Sequence, residues 1–193
     1  MRKHILWGGL ALLSLALALR AADTMPMDHA MMPAVTKAIA VLHSPDPANA
    51  TISGVIRFEQ VGDKVHVTGD IKGLAPNSVH GFHIHDFGDI SPSADNKYDG
   101  LNTGGHYNPE GAAHTHAGLD SETRHAGDLG NVTADASGAA HIDLTVDNIS
   151  VGGMKDPIVG HGLVLHASAD DFKTQPTGNA GGRIAVAVIG IAK

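Results

Sequence analysis

From Thr36 onward the chain is written in short runs in which apolar residues return at every second position, the period of a half-buried strand. AIAVLHS (38–44) is a brief apolar run, and ATISGVIRFEQV (50–61) alternates after a break at Gly54. KVHVTGDIKGL (64–74) carries Val65 and Val67 on one face and reaches Ile71 after a slip at Gly69. SVHGFHIHDF (78–87), NVTADASGAAHIDLTV (131–146), GHGLVLHAS (160–168) and RIAVAVIGIA (183–192) continue the pattern. Val-Gly-Asp-Lys, Ala-Pro-Asn-Ser and Asp-Ala-Ser-Gly separate the runs with turn chemistry. Many short strands and no convincing helix predict an antiparallel sandwich or barrel. Two stretches do not alternate, 88–131 and 167–182. Loops of that length inside a compact domain are usually functional, and histidines flank both.

The start of the chain obeys different rules. Arg2, Lys3 and His4 precede an apolar run from Ile5 to Leu19, and small residues follow, so residues 1–22 read as a secretory signal peptide. The run is short for a membrane span, and no stable membrane association is expected after cleavage. Residues 23–35 read as a flexible tail with Met25, Met27, Met31, Met32, Asp28 and His29, side chains that suit copper. Residues 36–193 then form the domain. The signal implies export, to the bacterial periplasm first and the extracellular space second.

Aromatic residues make up only 4%, so Val, Ile, Leu and Ala must build the core. Net charge is −7. Residues 1–22 hold three of the thirteen basic side chains and none of the twenty acidic ones, so cleavage leaves −10. Such a surface excludes a nucleic-acid partner, which requires a basic face. There is no cysteine, so neither disulfides nor thiolate metal sites are available. Histidine is the outlier at 14 residues, and it is the commonest protein metal ligand.

In GFHIHDF, Phe82 and Ile84 would face the core, which leaves His83 and His85 together on the opposite face. Alone, that pair fits a metal site or an exposed strand equally well. Further pieces weight it. GGHYNP places His106 among glycines that permit close packing. HAGLDSETRHAGDLGN sets His125 and Asp128 three apart around a glycine, with His116 nine residues earlier. Three histidines and a carboxylate make a cysteine-free tetrahedral set compatible with zinc. GLVLHASADD turns Leu163 and Leu165 inward and His166 outward, and TGNAGGR brings Arg183 to the start of the last strand.

With GFHIHDFGD, GGHYNP, HAGLDSETRHAGDLGNV, GLVLHASADD and TGNAGGRIAVAVIGIA in this order, residues 36–193 closely resemble the copper/zinc superoxide dismutases. The resemblance implies an all-β, eight-stranded Greek-key antiparallel β-barrel of the sandwich type, with two long functional loops. It implies His83, His85 and His166 as copper ligands and His106 as the bridge from copper to zinc. His116, His125 and Asp128 would complete the zinc set, with Asp170 hydrogen-bonded to a ligand of each metal. Arg183 would dock the superoxide anion beside the copper, Thr177 would narrow the approach, and His106 would carry a proton. His114 also lies near the spacing of a zinc ligand, but the HAG start and the nine-residue spacing favour His116. His80 reads as a structural hydrogen-bonding residue, and His43, His66, His141 and His161 as strand or loop histidines. A metal carrier on the same fold would need neither Arg183 nor a bridging histidine, and a non-catalytic relative would have lost ligands. The ending VIGIA is similar to the family's dimer-forming terminus, which implies a homodimer.

Two departures stand out. The positions of the family's disulfide are held by Gly100 and Val186, and the loop before His106 carries the insertion ISPSADNKYDGLN. The disulfide's loop-closure contribution, on the order of 3 kcal/mol, is missing. Zinc, or packing of the insertion, must hold the loop. Lys173 is the only basic side chain in 167–182, so steering charges are few.

Overall fold

The computed structural model describes residues 34–47, 50–95 and 97–193. The signal peptide and residues 23–33 of the tail lie outside them. Eight strands form one antiparallel sheet: β1 (Lys37–His43), β2 (Ser53–Val61), β3 (Lys64–Lys72), β4 (Val79–His85), β5 (Asp128–Thr133), β6 (Ala140–Val146), β7 (Gly162–His166) and β8 (Arg183–Ile191). The strand order is β5-β4-β7-β8-β1-β2-β3-β6, and the sheet curls into a nearly closed all-β barrel. The jump from β4 to β7 and the return of β8 beside β1 are the Greek-key crossings the resemblance implies.

Alternation decides what fills the barrel. Ala38, Ala40 and Leu42 point inward from β1, Ile56 and Phe58 from β2, and Val65, Val67 and Ile71 from β3. Phe82 and Ile84, Leu163 and Leu165, and Ala185, Ala187 and Ile189 close the other side. Gly69 is not a slip: the β2–β3 register runs unbroken from Ser53–Lys72 to Val61–Lys64, with Gly69 opposite Ile56. It stands at an inward position, where a Cβ would lie 2.8 Å from Ile56 Cδ1. The isoleucine fills the space that the missing side chain leaves.

β4 is buried on both faces from His80 to His85, because long loops cover its outer side. One runs from Asp86 to Gly127 and gives way to β5 three residues earlier than the alternation suggests; the other spans 167–182. A third long connection, 147–161, was not flagged by the sequence pattern. It buries Ile149, Val151 and Ile158 and so plugs one end of the core.

Candidate metal centre

Four imidazoles converge outside the barrel wall at β4 and β7. His83 and His85 leave β4 on its outer face, and His166 ends β7 beside them. His106 reaches in from the loop, which is pinned there by a bridge to His85. The ligand atoms of these four lie within 4.8 Å of one another, and all four residues are buried. A second buried group, His106, His116, His125 and Asp128, meets the same limit, and His106 belongs to both.

Hydrogen bonds fix which nitrogen of each ring is free. His85 Nδ1 donates to the Gly104 carbonyl at 2.9 Å and His166 Nδ1 to the Gly181 carbonyl at 3.1 Å. Their Nε2 atoms then face each other at 3.2 Å. His83 Nε2 donates to Asp170 Oδ2 at 2.8 Å, which leaves Nδ1 to point inward. His106 Nδ1 lies 2.8 Å from Asp128 Oδ1, and His116 Nδ1 lies 3.0 Å from the same oxygen. His116 Nε2 is tied to Asp170 Oδ1 at 2.8 Å. His83 Nδ1, His106 Nε2 and His125 Nδ1 are buried without a hydrogen-bond partner. Each such orphan costs about 1–3 kcal/mol, and a bound cation removes that cost. Four imidazole nitrogens suit copper, and three nitrogens with one carboxylate suit zinc.

Electrostatics separate the two sets. Burial pushes His83 down to about 4 against the pull of Asp170, and His166 down to about 3. Burial, then His106 and Arg183, hold His85 well below its ordinary value. These rings stay neutral and available to a metal at any physiological pH. Burial also lowers His116, but its hydrogen bonds to Asp128 and Asp170 outweigh that and lift it to about 9. Both carboxylates resist protonation: burial raises them, and the histidine partners pull them far below the usual range.

Asp170 joins the two sets. Its main chain is clamped by Asn131 of β5, which donates to the Asp170 carbonyl at 2.9 Å and accepts from its N–H at 2.8 Å. Gly178 (φ 64°) leaves room for this arrangement, because a Cβ there would sit 1.9 Å from Asp170 Oδ1. Gln175 holds His116 at both main-chain groups, accepting from its N–H and donating to its carbonyl. The sequence reading missed Asn131, Gly178 and Gln175, since none of them carries a spacing signal.

Arg183 opens β8 with its guanidinium against the loop. Nη1 donates to the Gly100 carbonyl and, at 2.8 Å, to Thr103 Oγ1, and Nη2 donates to the Gly104 carbonyl at 2.6 Å. The Gly104 carbonyl thus serves both His85 and Arg183. Thr177 stands exposed beside Gly178. His114 stays outside both groups and donates to the Arg124 carbonyl at 2.9 Å. His80 donates to the main-chain carbonyl of His166 at 2.8 Å, a structural role. His66 and His141 pair with Asp143 and Asp70 on the exposed face of β3 and β6.

Comparison with known proteins agrees with this geometry. Residues 52–189 match the family model "Copper/zinc superoxide dismutase (SODC)". The chain is 40% identical over 163 residues to the extracellular Cu-Zn superoxide dismutase of Brugia pahangi, covering 80% of this chain and 75% of that one. It is 42% identical over 163 residues to the Cu-Zn superoxide dismutase of Paramecium bursaria Chlorella virus 1, covering 81% and 79%. The crystal structure of the clock protein EA4 superposes with a TM-score of 0.73 at 43% identity, over 85% of this chain and 99% of that one. The chain therefore belongs to the copper/zinc superoxide dismutases, oxidoreductases that convert superoxide to oxygen and hydrogen peroxide at a copper centre bridged by histidine to a zinc.

Proposed function

We propose that His83 Nδ1 and the Nε2 atoms of His85, His106 and His166 hold copper, while His106 Nδ1, His116, His125 and Asp128 hold zinc. The observation that carries this assignment is the membership of His106 in both groups, with Nδ1 toward Asp128 and Nε2 buried and unpartnered. When bound, copper supplies the one-electron couple and zinc a fixed charge that keeps His106 oriented.

The chain supplies the rest of 2 O2•− + 2 H+ → O2 + H2O2. The protein is acidic overall, so a local positive field must draw the anion in. Arg183 provides it. Of its five N–H donors, two on Nη1 and one on Nη2 are committed to the loop. The second Nη2–H and Nε–H have no partner among the described residues and serve the anion. Thr177 at the rim narrows the approach. His106 Nε2 is where a proton is held and passed on, and water delivers the other. Superoxide decay should be fast with the copper- and zinc-loaded protein and slow with the metal-free one. Slow decay despite one copper and one zinc per chain would instead make the protein a metal carrier.

The chain is also proposed to be secreted, to the periplasm or beyond, with 1–22 as signal and 23–35 as tail ahead of the domain. The Brugia pahangi relative is named an extracellular enzyme, which supports export. A second copy of the chain is proposed to cover the outer face of β2, β1 and β8. Val41 pairs with Val55, and the β1–β8 register sets Val41 across from Val188. Val41, Val55 and Val188 are 60%, 41% and 40% exposed on this face. Contiguous apolar surface of this kind marks an interface. Sedimentation should give a dimer, and Val41→Glu with Val188→Glu should give monomers that retain both metals. A wild-type monomer would remove the proposal.

A further inference from the structure

Thr103 is fully buried at the end of the short 3-10 turn Leu101–Thr103, yet it is a loop residue with no part in either ligand set. Its methyl faces β7, where a Cβ on Gly162 would lie 3.1 Å from Thr103 Cγ2. The hydroxyl is thereby turned the other way. Oγ1 donates to the Gly100 carbonyl at 3.0 Å and accepts from Arg183 Nη1 at 2.8 Å. It also lies 3.4 Å from His85 Nδ1.

Gly100 sits where a disulfide to position 186 is expected from the resemblance. Here it is in the left-handed region (φ 70°), and a Cβ on it would lie 2.8 Å from Val186 Cγ1. No covalent tie joins the loop to β8. What joins them is the guanidinium of Arg183, and among the described residues Thr103 is the one side chain that bonds it. The insertion braces the same turn: Asn102 Nδ2 donates to the Pro92 carbonyl at 3.0 Å, and Asp99 Oδ1 accepts from Leu101 N–H at 3.0 Å.

We propose that Thr103 is a positioning residue that fixes Arg183 and the loop carrying His106, doing through one buried hydroxyl what a disulfide would otherwise do. This rests on the reading of Arg183 as the anion-docking group. Without the hydroxyl, Nη1 loses one of its two acceptors and the Gly100 carbonyl one of its donors, and the guanidinium is held only by the Gly100 and Gly104 carbonyls of the turn it must fix.

The test compares Thr103→Val, which keeps the shape, with Thr103→Ser, which keeps the hydroxyl. Azide titration of the loaded protein reads the anion site, and amide hydrogen exchange of the metal-free protein over 100–104 reads the loop. Valine should weaken azide binding about tenfold, as loss of a hydrogen bond to a charged group does, and speed the exchange, with copper and zinc content unchanged. Serine should stay within about twofold of wild type in both. Wild-type behaviour of the valine variant would overturn the proposal, as would a serine variant as impaired as valine. Should the valine variant not fold, the serine variant decides: a loss beyond about threefold overturns the clamp, and near-wild-type values support it. The exchange measurement needs no activity, so a failure of the clamp is distinguishable from a failure of the dismutase reading.

Discussion

Replacing Asp170 by asparagine should weaken zinc binding by about 10–100-fold and copper binding by a similar factor, the usual cost of removing a hydrogen-bond partner of a metal-bound histidine. One buried carboxylate reaches both histidine groups because its two oxygens accept from different rings, Oδ2 from His83 and Oδ1 from His116. Asparagine has nearly the same size, but its amide has one accepting oxygen and would turn an N–H₂ toward a ring that also donates. One histidine is left without its anchor in a site that excludes water. The pH dependence should move as well. In the metal-free protein His116 sits at about 9, so it is protonated at neutral pH and must release a proton before Nδ1 can bind. Apparent zinc affinity should rise about tenfold per pH unit until about pH 9 and then level off. Without the Asp170 charge the His116 value falls, and the levelling should begin at lower pH. Competitive titration with a zinc chelator across pH reads both effects. An unchanged affinity and break point would show that Asp170 orients neither ring.

The same values set the stability of the metal-free fold, and their signs differ. His116 is raised, so its contribution is complete below the unfolded value near 6.5 and is lost as pH climbs through about 9. His83 and His166 are lowered to about 4 and about 3. The unfolded chain binds more protons than the folded one below pH 6.5, so these two rings cost stability as pH falls from there toward 3. The two carboxylates, held far below the usual range, add stability above their unfolded value that fades only in strong acid.

The strands and the shared face of His83 and His85 were legible because both follow from local rules, while the full converging set came from the family resemblance. Period two put His83 and His85 on the face opposite Phe82 and Ile84, and the β4–β7 pairing brings His166 to the same side. The family resemblance, through the HAG start and the nine-residue spacing, pointed to His116, and the structure gathers that residue rather than His114 into the second group. What was not legible is what the backbone contributes. The carbonyls of Gly100, Gly104 and Gly181 anchor Arg183, His85 and His166, yet every residue has a carbonyl and only the path of the loop selects these. Gly69 read as a break because a glycine at an inward position carries no apolar signal, although it keeps the register intact. The substitute for the disulfide was equally hidden. A threonine in a glycine-rich loop means nothing until the strand that bears Arg183 is folded beside it.

Arg183→Ala should lower superoxide dismutation by about 10–100-fold while copper and zinc content stay at wild-type levels, since the side chain ligates neither metal. Two losses combine. The anion site loses its fixed charge inside a protein whose overall charge is negative, so the encounter rate falls. The carbonyls of Gly100 and Gly104 also lose their donor, which loosens the turn. Arg183→Lys separates the two. Lysine restores the charge but offers a single point in place of the planar fork. It can satisfy one carbonyl or face the anion, and it cannot do both in a fixed orientation. Lysine should therefore recover the steep fall of rate with ionic strength that alanine loses, yet stay well below arginine in absolute rate. If lysine matched arginine, charge alone would suffice and the bonds to the loop would be incidental to catalysis. If alanine kept the wild-type rate, the field at the copper would have to come from elsewhere, and Lys173, the one cation of the 167–182 loop, would be the next side chain to remove.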